Sequence, residues 1–364
     1  MPAYDAFLLL SFGGPEGPDD VLPFLENVTR GRGVPPERLA EVAEHYHARG
    51  GVSPINAQNR GLLEAIGGAF RDGGIDLPLY WGNRNARPFI EDTVRQMKAD
   101  GVRHAVAFVT SAYSSYSACR QYLDDIVRAV AAVGAGAPKI DKLRPYFNHP
   151  GFIEPFAAAV DAALAGLPQA AREGARLVFT AHSVPAGMAA ASGSASAGTA
   201  VPAEGGGRYA AELREASRLI AQRSAGSSLP FDLVFQSRSG PPGAGWLEPD
   251  VNDHLAALAK GTLPGGAEVP VPSAVVVVPV GFVSDHMEVV HDLDTEAAQT
   301  AASLGLPFAR AKAPGPTPRF AAMVRELVEE RLSGAGPLAL GTMGAGPDTC
   351  PADCCRYTPR RPAL

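Results

Sequence analysis

Six short runs of almost uninterrupted apolar residues limit what this chain can fold into: "YDAFLLLSF", "LPLYWGN", "HAVAFVTSA", "ARLVFTAHS", "FDLVFQSRS" and "SAVVVVPVGF". Each leads toward a stretch of helical period, as "PDDVLPFLENV" follows the first run and "FIEDTVRQMKADG" the second. A strand that is apolar on both faces is covered on both faces, and regular strand–helix alternation implies parallel sheets with right-handed crossovers. The class is therefore α/β. At 364 residues the chain exceeds what one small core organises, and the runs fall into two similar halves. The boundary is expected between Lys142 and Phe152, near "RPYFNHPGF". This gives domains of residues 1–148 and 149–334 and a tail of residues 335–364.

Bulk properties remove several function classes. A formal net charge of −6 supplies no attraction for nucleic acid. No apolar run approaches the roughly 20 residues that span a bilayer. The opening "MPAYDAFLLLSFGG" has no basic segment ahead of its apolar run, so it is not read as a signal peptide. The expected location is the cytoplasm, where a structural disulfide is not expected. Residues 188–207, "MAAASGSASAGTAVPAEGGG", are too small and polar to offset their ordering entropy. They are expected to be a mobile linker loop rather than a lid, despite lying close to the "TAHS" strand end.

Ligands of parallel α/β folds bind beyond the C-terminal ends of the strands. The first such turn, "SFGGPEGPDD", spaces Gly13, Gly14 and Gly17 wrongly for a dinucleotide, Pro15 lacks a donor and Glu16 repels phosphate. It reads as a tight turn presenting Phe12 to a cleft. "VFTAHSVP" puts His182 at a strand end, where it is either a metal or proton site or an ordinary polar terminus. In "GFVSDHMEVVHDLDTEAAQ", an ideal helix aligns Asp285, Glu288, Asp292 and Glu296 opposite Val290, Leu293, Ala297 and Leu304. Like charges at i,i+4 cost about 0.2–0.5 kcal/mol per pair, so helix stability does not explain the stripe. A path for a hard cation or for protons does, against the alternative of a solvated face near a helix start. Arg30, Arg32, Tyr46, Arg49, Ser53 and Tyr122 are a donor set suited to several carboxylates, although surface arginines are common. The loop "FQSRSGPPGAGWLEPDV", with Arg238 and Trp246, either walls a flat ligand or turns the chain.

The four cysteines are distributed unevenly, with Cys119 internal and Cys350, Cys354 and Cys355 crowded into "TCPADCCRYT". Zinc, an iron–sulfur centre and incidental thiols all remain compatible with that count.

Taken together, "LLLSFGGPE", "GGVSPIN", "YWGNRN", "RPYFNHPGFIE", "FTAHSVP", "FQSRSGPP", "WLEPDV" and "PVGFVSDHMEVVHDLD" resemble the ferrochelatases over nearly the whole chain. The resemblance implies two Rossmann-like domains around a porphyrin cleft and insertion of Fe2+ with loss of two pyrrole protons. His182 and Glu288 match the family's facing metal-binding or proton-accepting pair. Asp292 and Glu296 match an acidic ladder on a helix that carries a π-type turn. Ser53 and Tyr122 match propionate-binding positions, and Phe12 stands where some relatives have a tyrosine reaching the metal. Arg30, Tyr46 and Arg49 join the expected substrate contacts. The polar segment between Arg30 and Ser53, and the likeness to the high-GC Gram-positive branch, imply coproporphyrin III as substrate and a downstream enzyme that accepts coproheme. Some members hold a [2Fe–2S] cluster on one internal and three C-terminal cysteines, which here implies Cys119, Cys350, Cys354 and Cys355. The alternatives are a protoporphyrin IX ferrochelatase, a cobalt or nickel tetrapyrrole chelatase, and a non-catalytic porphyrin carrier.

Overall fold

The computed structural model describes residues 4–358 apart from 32, 197, 200, 202–204 and 240–244. The first sheet contains β1 (Ala6–Ser11), β2 (Leu79–Asn83), β3 (His104–Val109) and β4 (Lys139–Lys142), in the order β2-β1-β3-β4. The second contains β5 (Ala175–His182), β6 (Phe231–Gln236), β7 (Ala274–Val278) and β8 (Phe308–Arg310), in the equivalent order β6-β5-β7-β8. All strand pairs are parallel. The central strands are fully buried from Ala6 to Leu10 and from Ala274 to Val278, as their continuous apolar runs require. Strands β4 and β8 were not expected from the sequence. Both are short sheet edges carrying charge, "KIDK" and "FAR", which discourages further pairing and leaves no apolar run to read.

In both sheets the strand order reverses beside the first strand, between β1 and β3 and between β5 and β7. Such reversals open a crevice at the strand ends. The halves meet through one large apolar cluster containing residues of both. Helix Pro318–Ser333 packs on Ile55–Asp72 from the first half and on Pro150–Gly166 from the second. Phe320 meets Phe108 and Tyr146 edge-on, with ring centroids 6.0 and 6.1 Å apart. Phe152 meets Tyr146 at 5.6 Å and Tyr113 at 6.0 Å. The polar tips are also satisfied: Tyr113 donates across the contact to Val280 O (2.7 Å), and Tyr146 donates within the first half to Val109 O (2.9 Å). A buried Arg144 forks onto Glu330 at 2.7 and 2.8 Å, a bidentate pair that fixes the helix in register.

The tail folds back over both halves. Arg120 donates to Ala352 O (3.2 Å), while Gly193 O accepts from the Cys355 N–H (2.9 Å). Asp353 accepts from the hydroxyls of Ser194 and Ser196 at 2.8 and 2.6 Å. The expectation of a uniformly mobile linker over residues 188–207 is thus corrected in its first part. Ala186–Ala190 is helical and Gly193–Ser196 is held by the tail, whereas 197, 200 and 202–204 lie outside the described residues. Among the described residues no helix is long and apolar enough to cross a membrane.

Phe152→Ala would remove a fully buried ring from the contact between the halves. A loss of about 3–5 kcal/mol is expected, read as a lower urea midpoint for the transition that separates them.

Candidate active site

The second sheet's switch point brings His182 and Glu288 together. His182 closes β5, and Glu288 lies in the first turn of helix Met287–His291, entered from β7. His182 Nδ1 lies 2.5 Å from Ser183 O. A carbonyl only accepts, so Nδ1 carries a proton and Nε2 is the nitrogen that faces Glu288. That Nε2 stands 3.9 Å from Glu288 Oε2, and the two side chains are 34% and 45% exposed. Nitrogen and oxygen ligands are therefore accessible from solvent and close enough to hold one cation between them. The His286 ring caps the helix by accepting from Glu288 N–H (3.2 Å), and burial lowers the pKa of that imidazole, favouring its neutral form.

Behind Glu288 the helix changes pitch. Asp292–Ala297 forms a π-turn before the α-helix resumes at Ala298–Ser303. The ideal stripe is corrected accordingly. Leu293 and Ala297 are buried as expected, but Val289 rather than Val290 is buried ahead of the turn. Asp285 lies outside the helix and pairs with Arg310 at 2.9 Å, so it leaves the ladder. Asp292 accepts from Ser237 Oγ and from Gln236 Nε2 (3.3 Å), with Ser237 in the left-handed region at φ 58°. Burial pushes the Asp292 carboxyl up to about 7, the Ser237 hydroxyl opposes this, and the charges of Glu288 and Glu296 add to it.

The π-turn produces a ligand group that an α-helical period hides. His291 Nε2 lies 3.4 Å from Glu296 Oε1, five residues apart. His291, Asp292 and Glu296 place one ligand atom each within 4.8 Å of one another. His45 stacks on His291 from the first half, with ring centroids 4.0 Å apart at 18°. Neither histidine was singled out in the sequence. At 100° per residue, positions 291 and 296 fall well apart, and only the i→i+5 geometry of a π-turn brings them together.

The ferrochelatase family model matches residues 4–332. A coproporphyrin III ferrochelatase of Streptomyces coelicolor is 52% identical, covering 99% of this chain and 95% of the relative. One from Nocardia farcinica is 54% identical and covers 99% of each. A ferrochelatase of Rhodopirellula baltica is 50% identical over 100% of this chain and 97% of its own. The chain belongs to the ferrochelatase family.

The remaining expected site residues of this ferrochelatase chain are divided by the structure. Arg49 reaches Val290 O (3.5 Å) and the Thr295 hydroxyl, so it fastens the first half to the π-turn. Tyr46 is buried among Val21, Phe24, Leu25, Ala43 and Met287. Burial raises its hydroxyl pKa well above the usual value, and the charges of Glu288 and Asp292 raise it further, so Tyr46 remains a donor. Phe12 is half-buried against this cluster, its ring 6.1 Å from Phe24. Arg30 is exposed, and Arg32 lies outside the described residues. Ser53 is buried beneath the first turn, its N–H bonded to Pro15 O (2.9 Å). A Cβ at Gly14 would come within 2.6 Å of Ser53 Cβ, which is why that position is glycine. Tyr122 is buried in the cluster that also contains Leu8, Leu10 and Ile126, with the Arg84 guanidinium 4.0 Å above its ring. Arg84 in turn pairs with the buried Asp125 at 2.5 Å. Ser53 and Tyr122 are thus interior in this conformation, and Arg84 lies over Tyr122.

The four thiols converge at a separate place. Cys119 and Cys350 are 3.9 Å apart, Cys354 and Cys355 are 3.7 Å apart, and Cys354 also interacts with Cys350. Cys355 takes φ 52°, the sharp turn that lets two adjacent side chains face one centre.

Asp292 makes a signed prediction for the metal-free protein. Its carboxyl binds a proton more tightly folded than unfolded, so its cost to stability develops as pH rises from about 4 and levels off above about 7. Asp292→Asn should therefore stabilise the protein at pH 8 and have little effect near pH 4, as measured by urea denaturation at both values.

Proposed function

We propose that the chain inserts Fe(II) into coproporphyrin III to give coproheme, with the porphyrin lying between His182 and Glu288 and the first half. The observation that carries this reading is the accessible His182–Glu288 pair, with a carboxylate ladder immediately behind it. Insertion displaces two pyrrole protons, so the site needs acceptors as well as a metal ligand. One imidazole and one carboxylate bind Fe(II) without the tight hold of a thiolate cage, which suits a cation that must leave for the macrocycle. Asp292, poised at about 7, takes up and releases a proton near neutral pH, and Glu296 continues the path outward.

The choice of porphyrin rests on the relatives named above and on the helix Pro36–His47. Its inward side packs Ala43 and Tyr46, while Glu37, Arg38, Glu41, Glu44 and His47 are exposed. A polar rim suits a water-soluble porphyrin with four propionates. Arg30 and Arg49 are its proposed partners there, and Ser53 and Tyr122 would need the first turn and Arg84 to shift. The product then passes to a downstream enzyme that accepts coproheme, in the cytoplasm, where the four free cysteines remain reduced.

We also assign a [2Fe–2S] cluster to Cys119, Cys350, Cys354 and Cys355. Two thiolates on one tetrahedral metal lie about 3.8 Å apart for metal–sulfur bonds of about 2.3 Å. The observed pairs, at 3.9 and 3.7 Å, match that spacing twice over. Among the described residues, no three of these sulfurs lie within 4.8 Å of one another, which favours a binuclear centre over one zinc. Such a cluster supplies one-electron redox chemistry and a cross-link, 231 positions apart in sequence, between Cys119 and the tail.

His182→Ala and Glu288→Gln should each lower kcat/KM for anaerobic iron insertion by about 10²–10⁴. A variant that retains the wild-type rate would remove that residue from the mechanism. With the wild type, kcat/KM should be clearly higher for coproporphyrin III than for protoporphyrin IX; equal values would defeat the substrate assignment.

A further inference from the structure

Lys142 ends β4 and is only 8% exposed. Among the described residues no carboxylate lies within salt-bridge distance of it, whereas nearby Arg120 is paired with Asp124 at 2.9 Å. One ammonium proton goes to Leu143 O (3.0 Å), and the Cys119 sulfur is a side-chain neighbour of the same ammonium. The other groups whose charges act on it are Cys350 and Cys354. A buried ammonium without a counter-charge is strongly disfavoured, and here sulfur is the available source of negative charge. Neutral thiols do not supply it; thiolates holding a metal centre do.

We infer that Lys142 is the charge-compensating residue of the cysteine site, donating to the Cys119 sulfur and raising the reduction potential of the cluster held there. This rests on the cluster assignment above. A [2Fe–2S] centre with four thiolates is a dianion when oxidised and gains one further negative charge on reduction. A fixed positive charge in a low-dielectric setting therefore favours the reduced form, and an N–H···S bond acts in the same direction. Lys142 touches neither His182 nor Glu288, so its effect is read at the cluster and not in porphyrin metallation.

The test compares wild type, Lys142→Met and Lys142→Arg, purified anaerobically, by iron and acid-labile sulfide content and by potentiometric titration with dithionite followed by visible absorption. Lys142→Met should lower the midpoint potential enough to shift the oxidised-to-reduced ratio at fixed potential by about tenfold, which is 59 mV for one electron, or should fail to retain the cluster. Lys142→Arg should remain near the wild type. Metal-free Lys142→Met should unfold at or above the wild-type temperature, because an unpaired buried charge has been removed. Wild-type occupancy with an unchanged midpoint in Lys142→Met overturns the inference while leaving the cluster in place. A metal-free Lys142→Met less stable than wild type also overturns it, since the lysine would then be supporting the fold. Wild type lacking both iron and sulfide overturns the cluster assignment itself, and this inference with it.

Discussion

The aromatic contact between the two halves determines where every other part of the site can be. Phe108, Tyr113, Tyr146, Phe152 and Phe320 come from different elements and interlock edge to face. Helix Pro318–Ser333 belongs by sequence to the second half, yet it packs on Ile55–Asp72 of the first. Burial of this cluster, with the Arg144–Glu330 fork beside it, fixes one sheet against the other. With the sheets fixed, the crevice beyond β5 and β7 faces the helices Pro18–Val28 and Pro36–His47. Met287 then packs with Phe24 and Tyr46, and Arg49 reaches the π-turn.

Two chemically different donor sets follow from this arrangement. At the crevice the donors are imidazole and carboxylate, partly exposed and backed by a carboxyl that titrates near neutrality. At the tail they are sulfur, largely buried, with a lone ammonium for company. The first set suits a cation in transit and the second a resident centre. Their separation keeps the soft sulfur donors of the tail away from the imidazole and carboxylate of the crevice.

Much of this was legible in the sequence, and the failures have physical causes. The four central strands announced themselves because burial on two faces requires apolar residues throughout, and the edges β2 and β6 carry enough apolar residues to be read with them. Strands β4 and β8 did not, because an edge needs charge more than it needs apolar surface. His182, Glu288, Asp292 and Glu296 were identifiable from residue type and position in "TAHS" and "SDHMEVVHDLDTEA". His291 and His45 were not, since the first needs five-residue π spacing and the second a partner 246 positions away. Arg84 escaped for a similar reason: nothing in "YWGNRN" indicates that its guanidinium covers Tyr122. Period-based inference finds what a regular element presents and overlooks what a bulge or a long-range contact assembles.

The distance along the chain between Cys119 and Cys350 has a consequence for how the molecule comes apart. They are 231 positions apart and 3.9 Å from each other in space, so a bond through a shared metal would close a ring around the whole second sheet. By analogy with a covalent cross-link, such a ring would remove about 5 kcal/mol of denatured-state entropy. β1, β2 and β3 lie outside that ring, while the whole second sheet would unravel only within it. The second sheet would unfold and refold with the two ends of its segment already held together.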